Sequence, residues 1–272
     1  MPNETWTVDG PQTIELEGVT DLAAHVVSGR LDVVAHDEPV VRIEVHSLDG
    51  RPLNFRREGG KLSFGHETLT GWQSFLAKFR DFAGRASADV HVAVPRGTVV
   101  RIGTISGEGL LAGTTAGGKA STVSGSLIVT RTSGPLKVST VSGDITVRDH
   151  DGNLTIGTVS GEVAFSGSAE EVSSTSVSGG ITLDLTTQPR RIKASTVSGE
   201  LMVRVPDAGA VDVNVSGIGG RVTVGGYQVS GGGTVRSTRP AQTQLKVSSV
   251  SGDVTVLDGD HVAPDVAPDV AV

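Results

Sequence analysis

The chain contains no cysteine among its 272 residues. Disulfides, thiolate metal sites and a cysteine nucleophile are thereby excluded, and a reducing compartment fits. Aromatic residues amount to only 3%. A core must therefore be built from valine, isoleucine, leucine and alanine, with β-branched residues leading. No run of 18 apolar residues occurs, and the N-terminal MPNETWTVDG has neither a basic nor an apolar region. These absences predict no signal peptide, no transmembrane helix and a cytoplasmic protein, placed at a surface only if exported by a non-classical route.

Strong charge of either sign is missing as well. The net charge is −7. Residues 1–103 carry 14 acids and 11 bases, residues 104–256 carry 12 of each, and residues 257–272 carry four aspartates and no base. No segment has the basic footprint of a nucleic-acid binder. Attraction to an anionic membrane surface finds only weak support.

What is abundant is glycine, 37 residues, and it is periodic. The corner glycine of a repeated T-V-S-G stretch falls at Gly107, Gly125, Gly143, Gly161, Gly179, Gly199 and Gly217, with gaps of 18, 18, 18, 18, 20 and 18. Further copies lie at Gly231 and Gly252. Apolar residues follow at alternate positions, as in Ile145 and Val147. A weaker copy nine residues on, at Gly134 and Gly152, divides each unit into two turn-plus-strand halves. Nine residues are too few for a helical crossover or a propeller blade. The period predicts an all-β fold, a β-solenoid of about 18 residues per coil. About eight coils from Gly107 to Gly252 give a rod of roughly 40 Å at the strand spacing. Within STVSGDITV (139–147), parity predicts Val141, Ile145 and Val147 inward. Thr140, Ser142, Asp144 and Thr146 are then outward.

Three regions follow. Residues 1–103 read as degenerate coils, from VVSGRLDVV and EGGKLSF, with a separate N-terminal β-domain as the alternative. Residues 104–256 are the regular coils. Residues 257–272, with their tandem VAPD, form an acidic disordered tail. One segment breaks the strand pattern. TGWQSFLAKFRDFAG places Trp72, Phe75, Phe79 and Phe82 at helical spacing, predicting an amphipathic helix around 71–83. The plain reading is a cap over an open end of the solenoid. The sharper one is a docking helix.

Chemistry finds little support. Asp144 and Glu162 fall on neighbouring coils and are the nearest approach to the paired carboxylates of a carbohydrate-cleaving β-helix. Acidic residues after a turn glycine are also favoured by solvation alone. Calcium-binding nonapeptide rolls need GGxGxD, which is absent. The T-x-S ladder could form a flat hydroxyl array, yet threonine and serine suit exposed strands and turns without further purpose. None of the seven histidines has metal-ligand spacing. The expectation is a non-enzymatic scaffold, monomer or dimer, with no cofactor and a protein partner. Its candidate interaction residues are Trp72, Phe75, Phe79 and Phe82 on the helix and Thr140, Ser142, Asp144 and Glu162 on the outward column.

The repeated TVSGD-hydrophobic-x-V, together with PQTIELEGVTDLAAHVVSGRLDVVAHDEP, resembles a bacterial family of β-strand-repeat proteins known as putative adhesins, of unknown function and common in actinobacteria. The resemblance runs from about Trp6 to Val256. It implies a β-solenoid without catalytic residues. It also implies an association with envelope-stress membrane proteins, or an exported adhesin gripping a carbohydrate or cell-wall ligand.

Overall fold

The computed structural model describes residues 3–66, 86–217, 219–224, 227–230 and 233–259. Among them the chain is strand and turn throughout, apart from one 3-10 turn at Ala208–Ala210. The segment around 71–83, with Trp72, Phe75, Phe79 and Phe82, lies outside the described residues, as does most of the tail.

Alternating short apolar and polar residues make strands with one buried face, and two such faces close on each other. The result is two 13-stranded sheets. Along sheet A the strands lie in the order Asn3–Val8, Leu53–Glu58, Lys61–Gly65, Asp21–Val26, Val99–Thr104, Gly118–Thr122, Leu136–Thr140, Leu154–Thr158, Glu171–Ser176, Arg191–Thr196, Thr243–Ser249, Val211–Gly217 and Gly233–Val235. Sheet B runs Gln12–Glu17, Val40–Asp49, Ser87–Pro95, Ser28–His36, Glu108–Ala112, Ser126–Ser133, Asp144–Asp151, Val163–Ser168, Ile181–Leu185, Leu201–Val205, Val254–Asp258, Arg221–Val224 and Tyr227–Ser230. Thirteen strands at the usual spacing make a rod of roughly 58 Å.

Each central coil is one strand of sheet A, a T-V-S-G corner, one strand of sheet B and a second corner. Pairing between coils is parallel and in register, Leu136 beside Leu154 and Leu127 beside Ile145, so like residues stack on like. Between the sheets lies a continuous aliphatic core, including Leu127, Val138, Ile145, Ile156, Leu183 and Val203. Aromatics enter it chiefly near the N-terminal end, where Trp6, Phe55 and Phe64 stack at centroid distances of 5.3 and 4.9 Å.

Coil order departs from chain order at both ends. Thr243–Ser249 pairs in parallel with Arg191–Thr196 on one side and Val211–Gly217 on the other. Val254–Asp258 sits likewise between Leu201–Val205 and Arg221–Val224. The coil made last in sequence is thus inserted inside the stack. At the opposite end, Asp21–Val26 lies between Lys61–Gly65 and Val99–Thr104. Simple sequential stacking, which the glycine spacing predicted, therefore fails at the C-terminal end. Gly217 stands over Ser249, whereas the glycine stacked on Gly252 is Gly220. Antiparallel strands finish both ends of the rod, Asn3–Val8 on Leu53–Glu58 and Gly233–Val235 on Val211–Gly217. A chain that reverses direction this way ends each sheet on an antiparallel strand, short at the C-terminal end where Gly233–Val235 has three residues and Tyr227–Ser230 four.

Candidate functional site

The T-V-S-G corner repeats more faithfully than any other part of the chain, and each of its residues has a definite place. The threonine turns inward. Thr140 is 3% exposed, and its Oγ1 donates to the Gly143 carbonyl at 2.7 Å. Thr158 and Ser176 do the same to Gly161 and Gly179 at 2.7 and 2.6 Å. A buried hydroxyl thus staples these corners shut, as it does those of Thr196 and Ser249, with a net worth of about 1 kcal/mol apiece. This corrects the expectation that Thr140 faces outward and Val141 inward. Alternation continues through Thr140 and Val141 and breaks inside the three-residue corner, where Val141 and Ser142 both face outward before Gly143 and Ile145 turn inward.

The serine ties one coil to the next. Ser142, Ser160, Ser178 and Ser198 donate from Oγ to the carbonyls of Val123, Val141, Val159 and Val177, at 3.2, 3.2, 3.2 and 3.3 Å. The glycine leaves room for the preceding coil. A Cβ on Gly143 would stand 2.0 Å from the Gly125 carbonyl oxygen. The acid after it supports the same stack. Asp144 Oδ1 accepts the Glu162 backbone N–H at 3.3 Å, and Asp253 accepts that of Arg221 at 2.8 Å. Asp144 and Glu162 are stacked neighbours, and Ser142, Asp144 and Glu162 are exposed.

Only the valine has no such bond. Val159, Val177, Val197 and Val250 are 44%, 44%, 46% and 51% exposed, four of the five large apolar residues exposed among the described residues. They occupy consecutive rungs, because Ser178, Ser198 and Ser251 donate their backbone N–H to the carbonyls of Val159, Val177 and Val197. Nearer the N-terminal end the column sinks, with Ile105 at 8% and Val123 at 6%. The outcome is an apolar ridge along one edge of the rod, one residue wide and about 14 Å long at the rung spacing.

Charge is sorted on either side of this ridge. On sheet A one outward column holds Arg101, Lys119, Lys137, Thr155, Ser173, Lys193 and Lys246, with no acid. On sheet B the position after the corner glycine is acidic at Glu108, Asp144, Glu162, Glu200 and Asp253, with Ser126 and Gly180 between them, and the column is bounded by Arg30 beside Glu108 and Arg221 beside Asp253. Lys193, Lys246, Glu162 and Glu200 form no ion pair among the described residues. The balanced composition of 104–256 thus hides two opposed stripes.

A family model described as Toastrack DUF4097 matches residues 43–257 of this chain. The chain belongs to the Toastrack family. No curated protein matches it. Among solved structures, one described as a putative lipid binding protein from Parabacteroides distasonis ATCC 8503 is 15% identical with a TM-score of 0.52, over 92% of this chain and 94% of that one. Another, a putative adhesin from Bacteroides fragilis NCTC 9343, is 12% identical with a TM-score of 0.47, over 94% and 97% of the two chains. The first supports the fold.

The Toastrack coils leave two shallow depressions of interest. One, of about 200 Å³, lies on sheet B where Gly180 opens a gap between Glu162 and Glu200, floored by Ala164, Thr182 and Met202. The other, of about 550 Å³, lies near the C-terminal end of the rod between Asp212, Asn214, Arg236 and Lys246. No group of three His, Asp or Glu residues able to hold a metal occurs among the described residues. Nor is any described helix long and apolar enough to cross a membrane.

Sequence reasoning missed the buried imidazoles. His150 is 1% exposed, with Nδ1 2.9 Å from Thr132 Oγ1, because a bulge after Val147 re-aims it into the core. His25 lies over Gly103, whose absent side chain makes the space. Burial, with Lys119 nearby, lowers its pKa to about 4. His66 accepts the Val27 N–H and is also lowered to about 4 by burial, with help from Arg51. Both are neutral in the fold and would take up protons on unfolding. Stability should therefore be full above pH 6.5 and fall as pH drops from 6.5 through 4, on the order of 3 kcal/mol for each histidine. Urea midpoints measured across that range check this. His25→Gln with His66→Gln should flatten the slope.

Proposed function

We propose that the protein is a non-enzymatic scaffold whose T-V-S-G edge binds another protein molecule. One observation carries this reading. Threonine, serine and glycine do structural tasks at successive corners, as do Asp144 and Asp253 where the acid is present, and the exposed valine side chain does none. Water-exposed valines in register along a rigid rod are a surface waiting to be covered. The carboxylates speak against catalysis, since Asp144 is engaged with the backbone of the next coil. A carbohydrate-binding adhesin finds less support, because Phe55, Phe64 and Phe165 are buried instead of forming an outward stacking platform.

The test is site-specific photo-crosslinking in the native cell. A photoreactive residue at Val177 or Val197 should give discrete adducts. The same residue at Thr155 or Thr182, on the flat faces, should give none. Adducts from the faces alone, or none from the edge, would sink the reading.

A further inference from the structure

We infer that the partner of this edge is a second copy of the chain, joined edge to edge with the two rods side by side and pointing the same way. The inference rests on the edge being a binding surface and adds what covers it.

Three features converge on self-recognition. The ridge has the period of the coil, so a second ridge meets it rung for rung. Its flanks are small. Gly157, Thr175, Ser195 and Ser248 precede the corner on sheet A, and Ser160, Ser178, Ser198 and Ser251 follow each valine. Two ridges can therefore approach without bulky neighbours intervening.

The third feature is charge, and it selects the geometry. A two-fold axis parallel to the rods carries sheet A of one copy to the side of sheet B of the other. The basic stripe of Lys193 and Lys246 then faces the acidic stripe of Glu162, Glu200 and Asp253, twice. A two-fold axis perpendicular to the rods would instead set base beside base and acid beside acid. The charges lie back from the ridge, so they act across the joint within a Debye length rather than as close pairs. An isologous contact of this kind closes at two copies. A ridge one residue wide buries less than a standard interface, so the dimer is a reversible one whose population rises with concentration.

Sedimentation velocity on the purified full chain, from micromolar to near-millimolar concentration, should show a monomer–dimer equilibrium weakened by salt. Val177→Asp with Val197→Asp should abolish it without changing the melting temperature, since both positions are already in water. Charge exchange gives a sharper reading. Lys193→Glu with Lys246→Glu should be monomeric, and so should Glu162→Lys with Glu200→Lys, while an equal mixture of the two restores the dimer.

The chain has no native cysteine, so single cysteines report orientation directly. Val159→Cys, Val177→Cys, Val197→Cys and Val250→Cys should each oxidise to a homodimer. If only the middle positions crosslink, the rods run opposite ways and the proposed arrangement is wrong. A protein that stays monomeric throughout overturns self-association. In that case, edge adducts to a different protein in cells would leave the binding role standing, and their absence would remove both.

Discussion

Gly161→Ala should unfold the middle of the rod, at a cost of about 3 kcal/mol or more. Its new Cβ would stand 2.0 Å from the Gly143 carbonyl oxygen and 3.0 Å from that residue's carbonyl carbon. Those atoms belong to a backbone pinned in the parallel ladder, so they cannot retreat. The clash also falls on a column. The same contact recurs from Gly125 to Gly107, from Gly179 to Gly161 and from Gly199 to Gly179, at 1.9, 2.2 and 2.5 Å. Gly180→Ala is the matched control. A Cβ there meets nothing within 4 Å, and the substitution should change stability by less than about 0.5 kcal/mol. Urea denaturation of the two variants decides the matter. Equal midpoints would mean that the corner glycines serve something other than close stacking.

The second large effect concerns the inserted coil. A chain ending at Gln242 should lose the fold of residues 211–235 while the coils between 99 and 205 persist. The missing segment carries Leu245, Val247, Val254 and Val256, all at most 1% exposed. At about 1.5–3 kcal/mol each, their burial represents roughly 6–12 kcal/mol. Their removal also strips both parallel neighbours of a strand. In a stack where each coil touches only its neighbours, damage at one end need not spread. Limited proteolysis should cut readily beyond residue 205 and leave a resistant fragment before it. A chain ending at Gly259 keeps every described strand pairing and should resist throughout. If the shorter chain proves equally resistant, the last coil is an ornament and not a wedge.

Much of this architecture was legible in the sequence. Glycines 18 residues apart gave the coil, and alternation after each glycine gave the inward residues, Ile145 and Val147 among them. Both signals are local, because a parallel in-register stack copies one coil's needs onto the next. What escaped was set by geometry between segments. The corner's reversal of parity, which buried Thr140 and exposed the valines after Val141, depends on how three residues turn. The insertion of Thr243–Ser249 beside Arg191–Thr196 is a choice of partner among near-identical strands, and similarity alone cannot rank them. The burial of His150 depended on a bulge. The ridge itself was hidden by its composition, since a valine between threonine and serine reads as one more strand residue.

The reordered C-terminal end bears on how the protein is made. On a ribosome the coils from Val99 to Val205 can stack as they emerge, each finding its neighbour already in place. Val211–Gly217 and Arg221–Val224 cannot, because the strands that join them to the rod have not yet been synthesised. They must wait, each with only its own antiparallel partner, Gly233–Val235 or Tyr227–Ser230, until residues 243–258 arrive and fill the slot. The rod is therefore completed from the inside, and synthesis of its final strands is also the moment of its closure.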